Sequence, residues 1–153
     1  MPLPRPTQAC TAASLRFSFG YAGAAAGNWY SLIIVTNVSK ASCSLLGVPT
    51  VSYLDATGHR VGAAAVPEPG AGAARLVTLQ PGQRAAATLH QASPYNFPPA
   101  DCGAVHTAGY AVALPNGSTV DVRGAGTACS HAKSTTFWVM PFTKDFHQVN
   151  ANP

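Results

Sequence analysis

The sequence predicts an all-β domain, a sandwich of two mainly antiparallel sheets. Short β-branched and aromatic runs alternate with Gly, Pro, Asn and Ser clusters, and no segment keeps a helical apolar period with capping residues. The runs amount to roughly eight to ten strands with regular turns, the pattern of two sheets packing their apolar faces. Four cysteines, Cys10, Cys43, Cys102 and Cys129, stand beside predicted strands with no CxxC pair. Zinc ligands in small domains come in close pairs, because one tight turn must aim two side chains at one ion. Isolated cysteines between strands instead suit disulfides formed in an oxidising compartment, the alternative being four buried, unlinked thiols.

The first strand is Ser14 to Phe19, where Leu15, Phe17 and Phe19 alternate with Arg16 and Ser18. A Gly/Ala run, Ala22 to Gly27, reads as the connection to Trp29–Thr36, whose nearly continuous apolar run predicts a central strand covered on both faces. Asn37-Val38-Ser39-Lys40 closes that strand, and Cys43 stands just before the next, Val48 to Leu54. Asp55-Ala56-Thr57-Gly58 is a turn with glycine free to take φ > 0, followed by a short return strand, Arg60 to Val66. Pro67 to Ala74 reads as a mobile Pro/Gly/Ala loop containing Glu68, the only glutamate. Arg75 to Leu79 and Gln83 to His90 flank Gln80-Pro81-Gly82, either as a hairpin or as a corner between sheets. Ser93 to Pro99 reads as an extended loop ending at Cys102. Gly109 to Leu114 and Ser118 to Val122 surround Pro115-Asn116-Gly117, a hairpin signal because Asn-Gly tolerates the positive φ of a type I′ turn. The last strand, Thr136 to Phe142, places Trp138 and Phe142 on one face and Phe137, Val139 and Pro141 on the other. Pro141 suggests an edge position, since proline cannot donate to a ladder.

Length and composition fit one core. The 153 residues divide into a linker remnant at 1–9, one sandwich domain at 10–142 and a tail at 143–153. Apolar residues make up 47 % and charged residues only 9 %, which argues against disorder. Nine Lys and Arg against five acids give a net charge of +4, yet no two basic residues are adjacent, so the sequence shows no clustered surface for nucleic acid. No stretch approaches the roughly 20 apolar residues needed to span a membrane. Met1-Pro2-Leu3-Pro4-Arg5-Pro6 lacks the apolar core of a signal peptide, and the cysteines favour a chain that begins after a removed export signal, with Pro2 to Gln8 as a proline-rich linker.

The order of motifs resembles a known family. Cys10-Thr11-Ala12-Ala13, Tyr30 to Ser39, Cys43-Ser44-Leu45-Leu46-Gly47-Val48-Pro49, Leu54 to Gly58, Leu79-Gln80-Pro81-Gly82, Cys102-Gly103, Cys129 and Val139-Met140-Pro141-Phe142 follow one another as in an actinobacterial family of exported domains, often lipoproteins, termed domain of unknown function 4232. The resemblance covers most of Cys10 to Phe142. It implies an immunoglobulin-like sandwich and export, carries no catalytic residues, and implies pairing of Cys10 with Cys43 and of Cys102 with Cys129. The residues alone allow three pairings, and the strand order is compatible with the implied one.

No chemistry-bearing constellation stands out. There is no GxSxG elbow, and Asp55, Asp101, Asp121 and Asp145 lie in or near turns, where Asx hydrogen bonds account for them. The five histidines, His59, His90, His106, His131 and His147, show no metal-ligand spacing; a Cys102–Cys129 bridge could bring His106 and His131 near one another, against the alternative of two exposed loop histidines, which the sequence favours over a copper or zinc site. Asn37-Val38-Ser39 and Asn116-Gly117-Ser118 match a glycosylation sequon but read as turns. The most suggestive segment is Tyr95-Asn96-Phe97-Pro98-Pro99, two aromatics in a stiff loop, weighed as a contact surface against a lid on the core. The expected function is therefore a non-catalytic, exported or envelope-attached binding or structural module, without cofactor or metal. Its partner would be a protein, glycan or lipid of the envelope or host, with Tyr95 and Phe97 as the contact. A carrier holding a lipid or other apolar ligand inside the sandwich is the first alternative, and an unrecognised hydrolase the second.

Overall fold

The computed structural model describes residues 7–149. In chain order its strands are β1 (Gln8–Ala9), β2 (Leu15–Ala25), β3 (Asn28–Asn37), β4 (Cys43–Leu45), β5 (Thr50–Leu54), β6 (Arg60–Val61), β7 (Val66–Pro67), β8 (Val77–Leu79), β9 (Arg84–Ala92), β10 (Ala104–Ala113), β11 (Thr119–Cys129) and β12 (Phe137–Val139), with a short helix α1 (Pro99–Cys102) between β9 and β10. They form a five-stranded sheet in the order β2-β3-β9-β12-β7, a four-stranded sheet β11-β10-β5-β6, and a three-stranded sheet β1-β4-β8. The pairing is antiparallel except for β1 with β4 and β7 with β12. The two larger sheets pack as the immunoglobulin-like sandwich that the resemblance implies.

The apolar run in β3 explains its place. Leu32, Ile33, Ile34 and Val35 are all buried, and the strand is flanked by β2 and β9. A strand covered on both faces needs apolar residues at consecutive positions. Ile33 and Val35 enter the main core with Ala85, Ala87, Leu89 and Val139 of the same sheet and Val51, Tyr53, Tyr110, Val112 and Val122 of the facing one. The three-stranded sheet contributes Cys43, Leu45, Val77 and Leu79 to the same cluster. Where edge strands β2 and β11 meet, the Phe19 ring lies so close to Gly124 that a Cβ there would stand 2.8 Å from it, so glycine sets the approach of the two sheets.

Four aromatic rings join the sheets at the centre. Tyr53 stacks on Phe137 at 4.3 Å and tilts against Tyr110 at 5.3 Å, while Phe19 stacks on Tyr110 at 5.5 Å. Burial pushes the Tyr110 phenol up to about 12, partly opposed by its contact with Ser31. Burial, and then the nearness of Tyr110, pushes Tyr53 higher still. An acid whose folded pKa lies above its unfolded value stabilises the fold fully below the unfolded value near 10, and that contribution is lost as pH rises through the folded pKa. At about pH 11, ultraviolet titration is expected to find Tyr53 and Tyr110 protonated for as long as the near-ultraviolet dichroism stays native. Ionisation of all five tyrosines in a protein with native dichroism would contradict this burial.

The structure departs from the sequence reading in several segments. The Gly/Ala run after Phe19 is strand up to Ala25, because pairing with β3 satisfies its backbone groups, and a bulge falls between Tyr21 and Gly23. The chain around Gln80-Pro81-Gly82 is a corner, since β8 pairs with β4 whereas β9 pairs with β3 and β12. Ser93 to Cys102 coils into a 3₁₀ turn, Pro94–Asn96, and α1 rather than running extended. Val139 pairs with Leu89 but Thr143 with Ala86, so one extra residue enters between them. That slip turns Phe142 inward beside Phe137 and Val139, away from the face of Trp138, and leaves Pro141 past the β12 ladder.

The described parts of both terminal segments, residues 7–9 and 143–149, pack on the domain. Gln8–Ala9 pairs with Cys43–Ser44, while residues 1–6 of the expected linker lie outside the described residues. Residues 143–149 cross the outer face of the five-stranded sheet: Phe146 packs on a cluster of Leu32, Ile34 and Ala86, Arg84 lies over the Phe146 ring at 5.4 Å, and Val149 bridges to Tyr21.

Candidate functional site

Three connections converge at one end of the sandwich: the β2–β3 turn, the segment Ser93–Gly103, and Ser130–Thr136 between β11 and β12. Ser93 caps its own 3₁₀ turn by accepting from the Tyr95 N–H at 3.3 Å, and Pro94 is fully buried beneath it. Asn96 donates to the Gly27 carbonyl at 2.8 Å, and the Ser93 N–H donates to the same oxygen at 2.8 Å. Gly103 ends α1 in the left-handed region at φ 62°, where a side chain would collide with the His131 ring. The Cys102–Cys129 disulfide, with Cα atoms 4.6 Å apart, then ties α1 to the end of β11. Ser130 donates to the Gly103 carbonyl at 2.7 Å, His131 Nδ1 lies 3.0 Å from the Ser130 hydroxyl, and Lys133 pairs with Asp101 at 2.8 Å.

This fastening separates the two aromatics that the sequence singled out. Tyr95 is 72 % exposed on a segment pinned at both ends, whereas Phe97 is half-buried. Ser130–Thr136 also lines a cleft of about 610 Å³, together with Gly62, Ala63, Ala64, Val66, Tyr53 and Phe137. The Tyr53 hydroxyl is buried there without a hydrogen-bond partner among the described residues.

The second disulfide staples the opposite end. Cys10 and Cys43, with Cα atoms 4.8 Å apart, join the chain after β1 to the start of β4, and Asn116 of the β10–β11 turn donates to the Cys10 carbonyl. Asn37 is fully buried, its amide donating to the Leu79 and Ala41 carbonyls and its oxygen accepting from Ser39, so the first sequon is a structural turn. Asp55 accepts from the Thr57 hydroxyl and from the His59 and Thr57 backbone N–H groups, which together hold its carboxyl below the usual range. His106 on β10 stands opposite Thr127 on β11, and His131 packs under Gly103. Among the described residues no three His, Cys, Asp or Glu side chains gather as a metal site would require.

One constellation escaped the sequence reading. Tyr30, His90 and Trp138 occupy paired positions on β3, β9 and β12, on the outer face of the five-stranded sheet. Their rings stack at 4.8 and 4.7 Å with His90 in the middle. Glu68 lies 3.0 Å from His90 Nδ1, and Asn28 Oδ1 lies 2.7 Å from Nε2. The Asn28 amide nitrogen donates to the Ala26 carbonyl, which leaves its oxygen facing the His90 ring. Glu68 also donates its backbone N–H to the Val139 carbonyl at 2.9 Å. It is therefore a clasp that holds the Pro/Gly segment to the sheet, and that segment is anchored at Glu68 where the sequence suggested a mobile loop. The usable signal was the matching outward register of Tyr30, His90 and Trp138, which shows only once the strands are paired.

No curated protein and no solved structure matches the chain. The family model described as domain of unknown function (DUF4232) matches residues 10–143, from the first cysteine through the last core phenylalanine and across both disulfides, and by that match the chain belongs to this family.

Proposed function

We propose that this domain is an exported, non-catalytic module that binds a partner of the cell envelope or its surroundings through the loop end carrying Tyr95. The observation behind this reading is the conjunction of exposure and fastening: Tyr95 presents 72 % of its surface on a segment held by Ser93, Pro94, Asn96 and the Cys102–Cys129 bridge. A rigid aromatic meets a partner with little loss of conformational entropy, which is why tyrosine is enriched at interfaces. Two disulfides agree with an oxidising location, and no helix among the described residues is long and apolar enough to cross a membrane. In the hydrolase alternative an oriented base must face a nucleophile, whereas Nε2 of His90, whose Nδ1 meets Glu68, faces the Asn28 amide oxygen, and His131 Nδ1, which meets the Ser130 hydroxyl, belongs to a ring whose Nε2 faces the Ala100 carbonyl rather than a carboxylate.

The test is retention on isolated envelope fractions, separated into wall, membrane and protein extracts. The Tyr95→Ala variant, and the double variant with Phe97→Ala, are expected to lose about tenfold or more in apparent affinity, the cost of about 1.4 kcal/mol at one interface anchor. The melting temperature of Tyr95→Ala should stay within about 2 °C of the parent, as for other exposed substitutions. Unchanged retention with a large fall in melting temperature would assign the segment to the core instead.

The carrier alternative is supported at a different place from the one expected. The aromatic cluster and its aliphatic neighbours pack the centre between the sheets, whereas an apolar cleft is lined by the β7–β8 segment and the chain after β12.

A further inference from the structure

A cleft of about 750 Å³ runs between the segment joining β7 to β8 and the chain that follows β12. Its size falls in the range of small-molecule sites. One wall is Ala71, Ala73, Leu76 and Val77, and the other is Met140, Pro141 and Phe142, the stretch that contains the inserted residue after β12. Leu76 is 64 % exposed, more than any other large aliphatic side chain among the described residues. An exposed leucine on an apolar wall costs solvation that an apolar ligand would recover.

The rim adds charge. Arg75, Lys144 and Asp145 line the same cleft, a balance of one positive charge. Lys144 is held by its bond to the Thr78 carbonyl at 2.9 Å, while Arg75 enters no ion pair among the described residues. A guanidinium without a carboxylate, next to an apolar trough, favours a ligand with an anionic head and a hydrocarbon chain. A cationic amphiphile would meet Arg75 and Lys144.

We propose that this cleft seats a single-chain anionic amphiphile of the fatty-acid type, its chain between Leu76 and Met140–Phe142 and its carboxylate on Arg75. The site is separate from the Tyr95 end, and it places the apolar ligand on the outside of the sandwich rather than within it.

The experiment is a titration of the whole chain with monomeric dodecanoate, followed by amide NMR shifts, with dodecyltrimethylammonium as the cationic counterpart. The expected result is saturable shifts at 75–78 and 140–144 with dodecanoate, and binding of the cationic analogue about tenfold weaker or more. Arg75→Ala should weaken dodecanoate about tenfold and Leu76→Ser similarly, both at unchanged melting temperature because both side chains are exposed. Tyr95→Ala should change neither, which separates this proposal from the loop reading. Equal binding of both amphiphiles, shifts confined to other surfaces, or no shift would overturn the proposal. So would attachment to phosphatidylglycerol vesicles without uptake of monomer, which would make Leu76 a membrane contact.

Discussion

Replacing Cys102 and Cys129 by alanine is expected to lower the stability of this domain by about 3.5 kcal/mol, and replacing Cys10 and Cys43 by about the same amount. The bridges span sequence separations of 27 and 33, and the entropy of closing such loops in the unfolded chain sets the figure. A domain of this kind has a total stability of roughly 5–15 kcal/mol, so losing both consumes about half or more of it. Each loss should lower the melting temperature by about 10 °C. The two variants should also differ in where they loosen. Without Cys102–Cys129, hydrogen exchange should accelerate across 93–103 and 130–136, which the bridge and the Asp101–Lys133 pair hold together. Without Cys10–Cys43, it should accelerate at 8–10 and 43–45. A fully reduced chain that stays within about 1 kcal/mol of the oxidised one would refute the entropic account and weaken the argument for an oxidising location.

Phe137→Ala is expected to cost about 3–5 kcal/mol, as large aromatic deletions in packed cores do. Phe137 belongs to the five-stranded sheet, is 4 % exposed, and stacks on Tyr53 of the facing sheet. Its removal takes away one of the aromatic contacts between layers and leaves a hole that the short β12, held between β9 and β7, closes poorly. Phe137→Leu should cost less, about 1–1.5 kcal/mol, because most of the volume remains. Urea unfolding followed by tryptophan fluorescence measures both, with Trp138 next in the chain as reporter. A cost below about 1 kcal/mol for the alanine variant would mean that the sheets are not coupled through this ring.

The sequence was most readable where a strand's own residues decide its fate. Trp29–Thr36 had to be central because its apolar run admits no solvent-facing side; Pro115-Asn116-Gly117 does turn, but Gly117 alone takes positive φ, at 94°, and its N–H donates to the Leu114 carbonyl, so the turn centres on Pro115-Asn116 and is not the type I′ turn expected of Asn116-Gly117. Legibility failed where partners decide. Ala22–Ala25 has no strand composition, yet β3 supplies its hydrogen bonds. Phe142 faces inward because of one inserted residue, and inserted residues carry no compositional mark. Gln8–Ala9 and Val66–Pro67 are strands only because β4 and β12 offer them an edge. The disulfide pairing came from family resemblance, since spacing alone leaves three options. At the candidate site, the sequence left the Pro-rich segment open between contact surface and core lid, and the fastening of Tyr95 through Ser93 and Asn96 to Gly27 depends on a turn 69 residues away. The Glu68–His90 clasp likewise joins residues 22 apart whose meeting requires β7 and β9 to flank β12.

The segment crossing the outer face of the five-stranded sheet has a consequence in time. Phe146 covers Leu32 and Ile34, which belong to a strand synthesised more than a hundred residues earlier, and the family match ends at residue 143, just before that cover begins. A chain emerging from its N-terminus can assemble both sheets while this patch is still bare. Until residues 143–149 lie across the sheet, Leu32 and Ile34 therefore present an apolar patch on its outer face, the kind of surface on which copies associate.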